Sequence, residues 1–166
     1  MEIRVRNTGA VMYEQEFKDL HTGVGLPSVL TEEVLNAWGA DLVYEGPQAT
    51  GGTVYQFSMR NGVIKIGNKW HTKYILGPLF KDTPEDGDKP AKKAAEYEAE
   101  YKAMKDADKA VVIRQQRNDL LKASDWTQLS DSTINKTTWA TYRQSLRDVP
   151  SQSGFPWTIT WPTKPE

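Results

Sequence analysis

Apolar positions along this chain change their spacing several times, and each change marks an element. In "MYEQEFKDL" the residues Tyr13, Phe17 and Leu20 recur at i, i+4, i+7, which predicts a short helix. "TEEVLNAWG" predicts a second one, with Thr31 as N-cap, Val34, Leu35 and Trp38 as the buried stripe, and Gly39 as the stop. From Thr53 the period becomes two. "TVYQFSMR", "VIKI" and "KWHTKYIL" read as strands separated by Asn61-Gly62 and Gly67-Asn68, both dipeptides suited to two-residue turns, so a three-stranded antiparallel meander is expected.

Residues 81–90, "KDTPEDGDKP", have the composition of a linker, with Pro90 placed to enter the first turn of a helix. The next 33 residues, 91–123, contain neither Gly nor Pro and are rich in Ala, Lys and Glu, which predicts one long helix. Its early stripe is thin, Tyr97, Tyr101 and Met104, whereas Val111, Val112, Ile113, Leu120 and Leu121 offer the later half more to bury. A loop around Trp126 leads to "NKTTWATYRQSLRDV", where Trp139, Tyr142, Leu146 and Val149 fall at i, i+3, i+7, i+10 before Pro150. The expected architecture is therefore α+β: residues 1–81 a small unit carrying the meander, 82–89 a linker, and 90–166 a long helix and helical hairpin ending in an aromatic tail. Leu120, Leu121, Trp126, Trp139, Tyr142 and Leu146 are the candidate hairpin core.

The tail, "GFPWTITWP" at 154–162, places two tryptophans and two prolines in nine positions. Chain ends are usually polar and frayed, so an aromatic one is held by the rest of the chain or by a partner. Trp157 and Trp161 can fold back as a clasp on the hairpin and still leave an aromatic edge outside. Phe155, Trp157, Trp161, Arg143 and Arg147 are the candidate partner interface.

Composition narrows the chemistry. The 166 residues carry 21 Lys and Arg against 22 Asp and Glu, so no global field draws the chain to nucleic acid or to an anionic membrane. No apolar run approaches the ~18 residues of a membrane span. Cysteine is absent, which removes disulfides, thiolate zinc sites and thiol nucleophiles. The two histidines, His21 and His71, have no paired-ligand spacing. A calcium loop counted from Asp82 reaches Lys93 where a bidentate Glu is required. The glycine turns "HTGVGLP" and "ATGG" lack the strand-to-helix setting of nucleotide loops, and the serines 124, 130, 132 and 145 sit in no nucleophile elbow. Glu32 with Glu33 and Glu96 with Glu100 read as exposed helical faces rather than an acid–base pair. Arg114, Arg117, Arg143 and Arg147 are interleaved with Asp119, Asp125, Asp131 and Asp148, a pattern of ion pairs more than of phosphate contacts. Neither a cofactor nor catalysis is expected.

One segment resembles a known family. Residues 117–162 carry R-N-x-L-L-x-x-S-D-W-T-Q-L, then W-x-x-Y-R-Q-x-L-R-D, then G-F-P-W, and are similar to the C-terminal module of phage tail assembly chaperone-like proteins, which also ends some tail-fibre polypeptides. "WGADLVYEG" and "KWHTKYILGPLF" look, more loosely, like the N-terminal part of related tail proteins from phages of cyanobacteria. The resemblance implies a non-enzymatic tail component or assembly factor, with tail or tail-fibre proteins as partners, located in the virion tail or in the host cytoplasm during assembly. Separately, the apolar share, counting Gly and leaving out Tyr, is slightly low for a globular domain, so an elongated shape or a homo-oligomer is expected. The alternative is a carbohydrate-recognition module, in which Trp70, His71, Tyr74 and Trp161 stack on sugars of the host surface.

Overall fold

The computed structural model describes residues 1–166, and the chain forms two compact units, Met1–Leu79 and Phe80–Glu166. In the first unit, strands β1 (Glu2–Val5), β2 (Val11–Tyr13), β3 (Ala40–Tyr44), β4 (Phe57–Ile66) and β5 (Lys69–Gly77) make one sheet in the order β2-β1-β3-β5-β4. Only the β3–β5 pair is parallel. Ile3 stands opposite Met12 on one side and Leu42 on the other, and Val5 opposite Ala40, so these side chains share one face. Helices α1 (Glu14–Leu20) and α2 (Glu32–Ala37) cover that face, closing a core of Ile3, Phe17, Leu30, Leu35 and Ala40. The α2 boundaries follow from local chemistry. Thr31 accepts the N–H of Val34 at 3.3 Å, and Gly39, with φ of 69°, carries the chain past the C-cap.

Two expectations for this unit are corrected. In the first helix only Phe17 is buried, while Tyr13 ends β2 and Leu20 is exposed. The antiparallel meander of three strands is instead a two-stranded hairpin within the larger sheet. Asn61-Gly62 does not turn the chain; it is a bulge in β4, two residues opposite the single Lys73, with Gly62 at φ 76°. The nine residues of β5 are long enough to pair with β4 on both sides of the bulge, which removes the need for a third strand. Gly67-Asn68 does form the expected turn between them, with positive φ at Gly67 alone.

In the second unit, residues 80–92 fold back on themselves through bridges between Thr83 and Lys92 and between Asp86 and Lys89. The linker-like composition thus builds a small hairpin. It docks on α3 (Ala94–Ala123) through the Phe80 and Tyr101 rings, 5.5 Å apart, and through Asp82, whose carboxylate accepts the Ala94 N–H at 2.8 Å. The Glu96 carboxylate reaches back to the Lys93 N–H at 2.7 Å. Helix α3 therefore begins four residues after Pro90, and the cap is built from Asp82 and Glu96 rather than from proline. Its apolar run also divides differently from the expectation: Ile113 is buried with Ala110, whereas Val111 and Val112 are exposed. A 3₁₀ turn, Asp125–Gln128, leads to α4 (Lys136–Asp148), capped by Asn135, whose side chain accepts the Thr138 N–H. Pro150 lies in a further 3₁₀ turn, Val149–Ser151, from which the tail departs.

Candidate functional site

The second unit concentrates its aromatic side chains where α3, α4 and the tail meet. Trp139, Tyr142 and Leu146 form the buried apolar stripe of α4, and Val149, at the start of the following 3₁₀ turn, continues it. The Trp139 ring meets Trp126 at 5.8 Å and the edge of Tyr142 at 5.7 Å, and Leu121, Ile134 and Trp161 complete the cluster. Trp126 stays half exposed and Leu120, at 37% exposure, lies at the margin of this core instead of inside it.

The tail is tied at several points. The Gln152 side chain bonds both the carbonyl and the N–H of Thr160, at 2.8 and 2.9 Å. The Gly154 carbonyl accepts the N–H groups of Trp157 and Thr158 in a turn that contains the cis Phe155–Pro156 bond. The indole N–H of Trp157 donates to Asp106 on α3 at 2.5 Å, Arg114 lies over the Phe155 ring at 5.2 Å, and the Lys164 ammonium lies 5.9 Å from the Trp139 ring. The tail thus runs back along the helix pair. Phe155, Trp157 and Trp161 are each half-buried, so each has one side on the module and another facing out.

Arg143, expected at a partner interface, is placed inside, at 8% exposure. Its Nη1 donates to the Leu121 carbonyl at 2.7 Å and to Ser124 Oγ at 2.8 Å, and Nη2 donates to Asp125 at 2.8 Å. Leu121 and Ser124 lie at the C-terminus of α3, where the intrahelical ladder runs out, and Asp125 opens the 3₁₀ turn that follows. Ser124 Oγ in turn donates to Leu120 and Leu121 carbonyls, both at 2.9 Å. Arginine at this position is hard to read as buried from its type alone, but its spacing is the clue, because 139, 142, 143 and 146 fall on one helical face. Arg147 is exposed. Beside the tail lies a shallow groove lined by Gln116, Asp119, Leu120, Ala123 and Trp161.

In the first unit, Trp70 and His71 are consecutive on β5 and point to opposite faces. The Arg4 guanidinium sits over Trp70 at 4.0 Å, His71 faces Tyr44, and the Tyr74 hydroxyl donates to Glu45 at 2.7 Å. These side chains do not make one stacking platform, and Trp161 belongs to the other unit. No three His, Asp or Glu side chains cluster closely enough to hold a metal ion. No helix is long and apolar enough to cross a membrane.

Residues 110–166 match the family of phage tail assembly chaperone proteins. The match takes in the later part of α3, all of α4 and the tail, which are the parts that build the aromatic cluster. No curated protein and no solved structure matches the chain.

Proposed function

We propose that the chain is a non-enzymatic factor in the assembly of a bacteriophage tail and works through protein contacts. The observation that carries this reading is the family match over residues 110–166. The contact surface is the groove of Leu120, Ala123 and Trp161 together with the exposed side chains of Trp126 and Leu129. A half-buried tryptophan beside Leu120 supplies the apolar anchor that protein interfaces favour, and Gln116 and Asp119 supply a polar rim. A tail or tail-fibre subunit is the partner, and host cytoplasm during assembly is the place of action.

The test is a phage in which this gene carries an early stop codon. Lysates viewed by electron microscopy should contain heads with absent or defective tails, and a wild-type copy supplied in trans should restore them. Normal, infective tails in the mutant would overturn the reading. Mass spectrometry of purified virions then separates a transient factor from a permanent tail component, and a glycan array with the full chain tests sugar recognition directly.

A further inference from the structure

Strand β4 closes one edge of the sheet, so the backbone groups on its outer side have no strand partner. Its side chains are unusual for an edge. Phe57, Ile64 and Ile66 are 55%, 43% and 46% exposed, and Met59 lies between them, half-buried. In an unbroken strand the odd-numbered Phe57 and Met59 and the even-numbered Ile64 and Ile66 would project to opposite faces. The bulge at Asn61-Gly62 changes that. Phe57 and Met59 stand opposite Gly77 and Ile75, and Ile64 and Ile66 opposite His71 and Lys69, all odd positions of β5. The four apolar side chains therefore share one face, and their backbone groups have the same orientation relative to the free edge.

The strand reads "FSMRNGVIKI", and its pattern is symmetric about the bond between Asn61 and Gly62. We infer that β4 is a self-complementary edge that pairs antiparallel with the β4 of a second copy, about a two-fold axis between Asn61 and Gly62. A two-fold interface requires that if one residue meets another, the reverse also holds. In this register Phe57 meets the second copy's Ile66 and Met59 meets its Ile64 on the apolar face. Ser58 meets Lys65 and Arg60 meets Val63 on the other. Charge and length together select the register: the shift that sets Met59 against Ile66 brings Arg60, which Glu2 holds, beside Lys65, and the opposite shift, Phe57 against Ile64, opposes no like charges but leaves Lys65 and Ile66 unpaired. The symmetric register opposes no like charges and uses all ten residues. It also extends the hydrogen-bond ladder that β5 and β4 already share. Because these residues lie outside the segment matching the tail assembly family, the inference stands independently of the proposed function.

The chain has no cysteine, which makes a direct test simple. Sedimentation equilibrium of the full chain at concentrations up to about 100 μM, enough to capture a small interface, should report a dimer. Ile64→Lys should give a monomer with an unchanged circular dichroism spectrum. The double variant Ser58→Cys, Lys65→Cys should oxidise to a covalent dimer, since directly opposed Cα atoms lie at about 4.5–5.5 Å, within disulfide reach. Arg60→Cys with Lys65→Cys, which opposes thiols only in the shifted register, should crosslink far less. A wild-type monomer throughout the range, a dimer that survives Ile64→Lys, or preferential crosslinking of the shifted pair would each overturn the inference.

Discussion

Arg143 and Leu121 lie 22 positions apart, and the guanidinium of the first donates to the carbonyl of the second at 2.7 Å. A side chain from α4 thereby completes the C-terminus of α3 and joins the two helices at their turn. Arg143→Met keeps much of the volume but leaves the Leu121 carbonyl and Ser124 Oγ without this donor. Loss of buried hydrogen-bond partners on this scale should lower stability by about 2–3 kcal/mol in urea denaturation. Arg143→Lys should recover only part, because one ammonium cannot reproduce the fork that reaches Leu121, Ser124 and Asp125 together.

Trp139 and Trp161 share a cluster but not a degree of burial. Trp139→Ala should cost about 3–5 kcal/mol, the range for large core truncations, and melt the helix pair. Trp161→Ala should cost less, about 1–2 kcal/mol, because part of its surface is already in water. If the groove beside Trp161 binds a tail subunit, the second variant should nevertheless be the worse one in tail assembly per folded molecule. Thermal unfolding and complementation of the stop-codon phage, measured on both variants, decide this.

Gly154 permits the tail turn. A Cβ built there would lie 2.5 Å from the Thr158 carbonyl oxygen, which is backbone and cannot swing aside. Gly154→Ala should destabilise the unit by about 1–3 kcal/mol through forced displacement of the turn. The indole N–H resonance of Trp157 in an NMR spectrum should move as it leaves Asp106, and an unchanged resonance would show that the turn absorbs the methyl without releasing the tail.

The N-terminus of α3 supplies a pH signature. The Ala94 N–H, followed by the Lys93 ammonium, holds the Asp82 carboxyl below its ordinary value. A carboxyl depressed in the folded state stabilises it above the unfolded value of about 3.9 and ceases to do so as pH falls through the folded value. Carbon-detected titration of Asp82 should therefore give a midpoint under about 3.9. Amide exchange at Ala94 should accelerate below it, and Asp82→Asn should abolish that acid-dependent step.

Local chemistry made some of this molecule readable and left other parts hidden. Helix α2 was readable because a cap, an apolar stripe and a terminal glycine coincide within nine residues, and α4 because its stripe spans three turns. Strands β1, β2 and β3 were not, since three to five residues are too few to establish a period, and their pairing, such as Glu2 with Val43, joins distant segments. Asn61-Gly62 fits a tight turn and a bulge equally well from sequence alone, and only the length of β5 decides between them. At the candidate site, Trp139, Tyr142 and Leu146 follow from helical spacing. Helical spacing places Arg143 on the same face as these residues, but the groups its guanidinium meets, Leu121, Ser124 and Asp125, lie about twenty positions away and no local pattern around residue 143 reports them.

The return of the tail along α3 and α4 sets an order of events during synthesis. The sheet of the first unit has all its strands once residue 77 is made, whereas the aromatic cluster needs a side chain from position 161. A growing chain can therefore fold its first unit while the ribosome is still adding the second. The second must wait, with α3 already emerged and its apolar face bare, until Trp161 leaves the exit tunnel. In that interval the unfinished helix face is open to whatever newly made protein lies nearby.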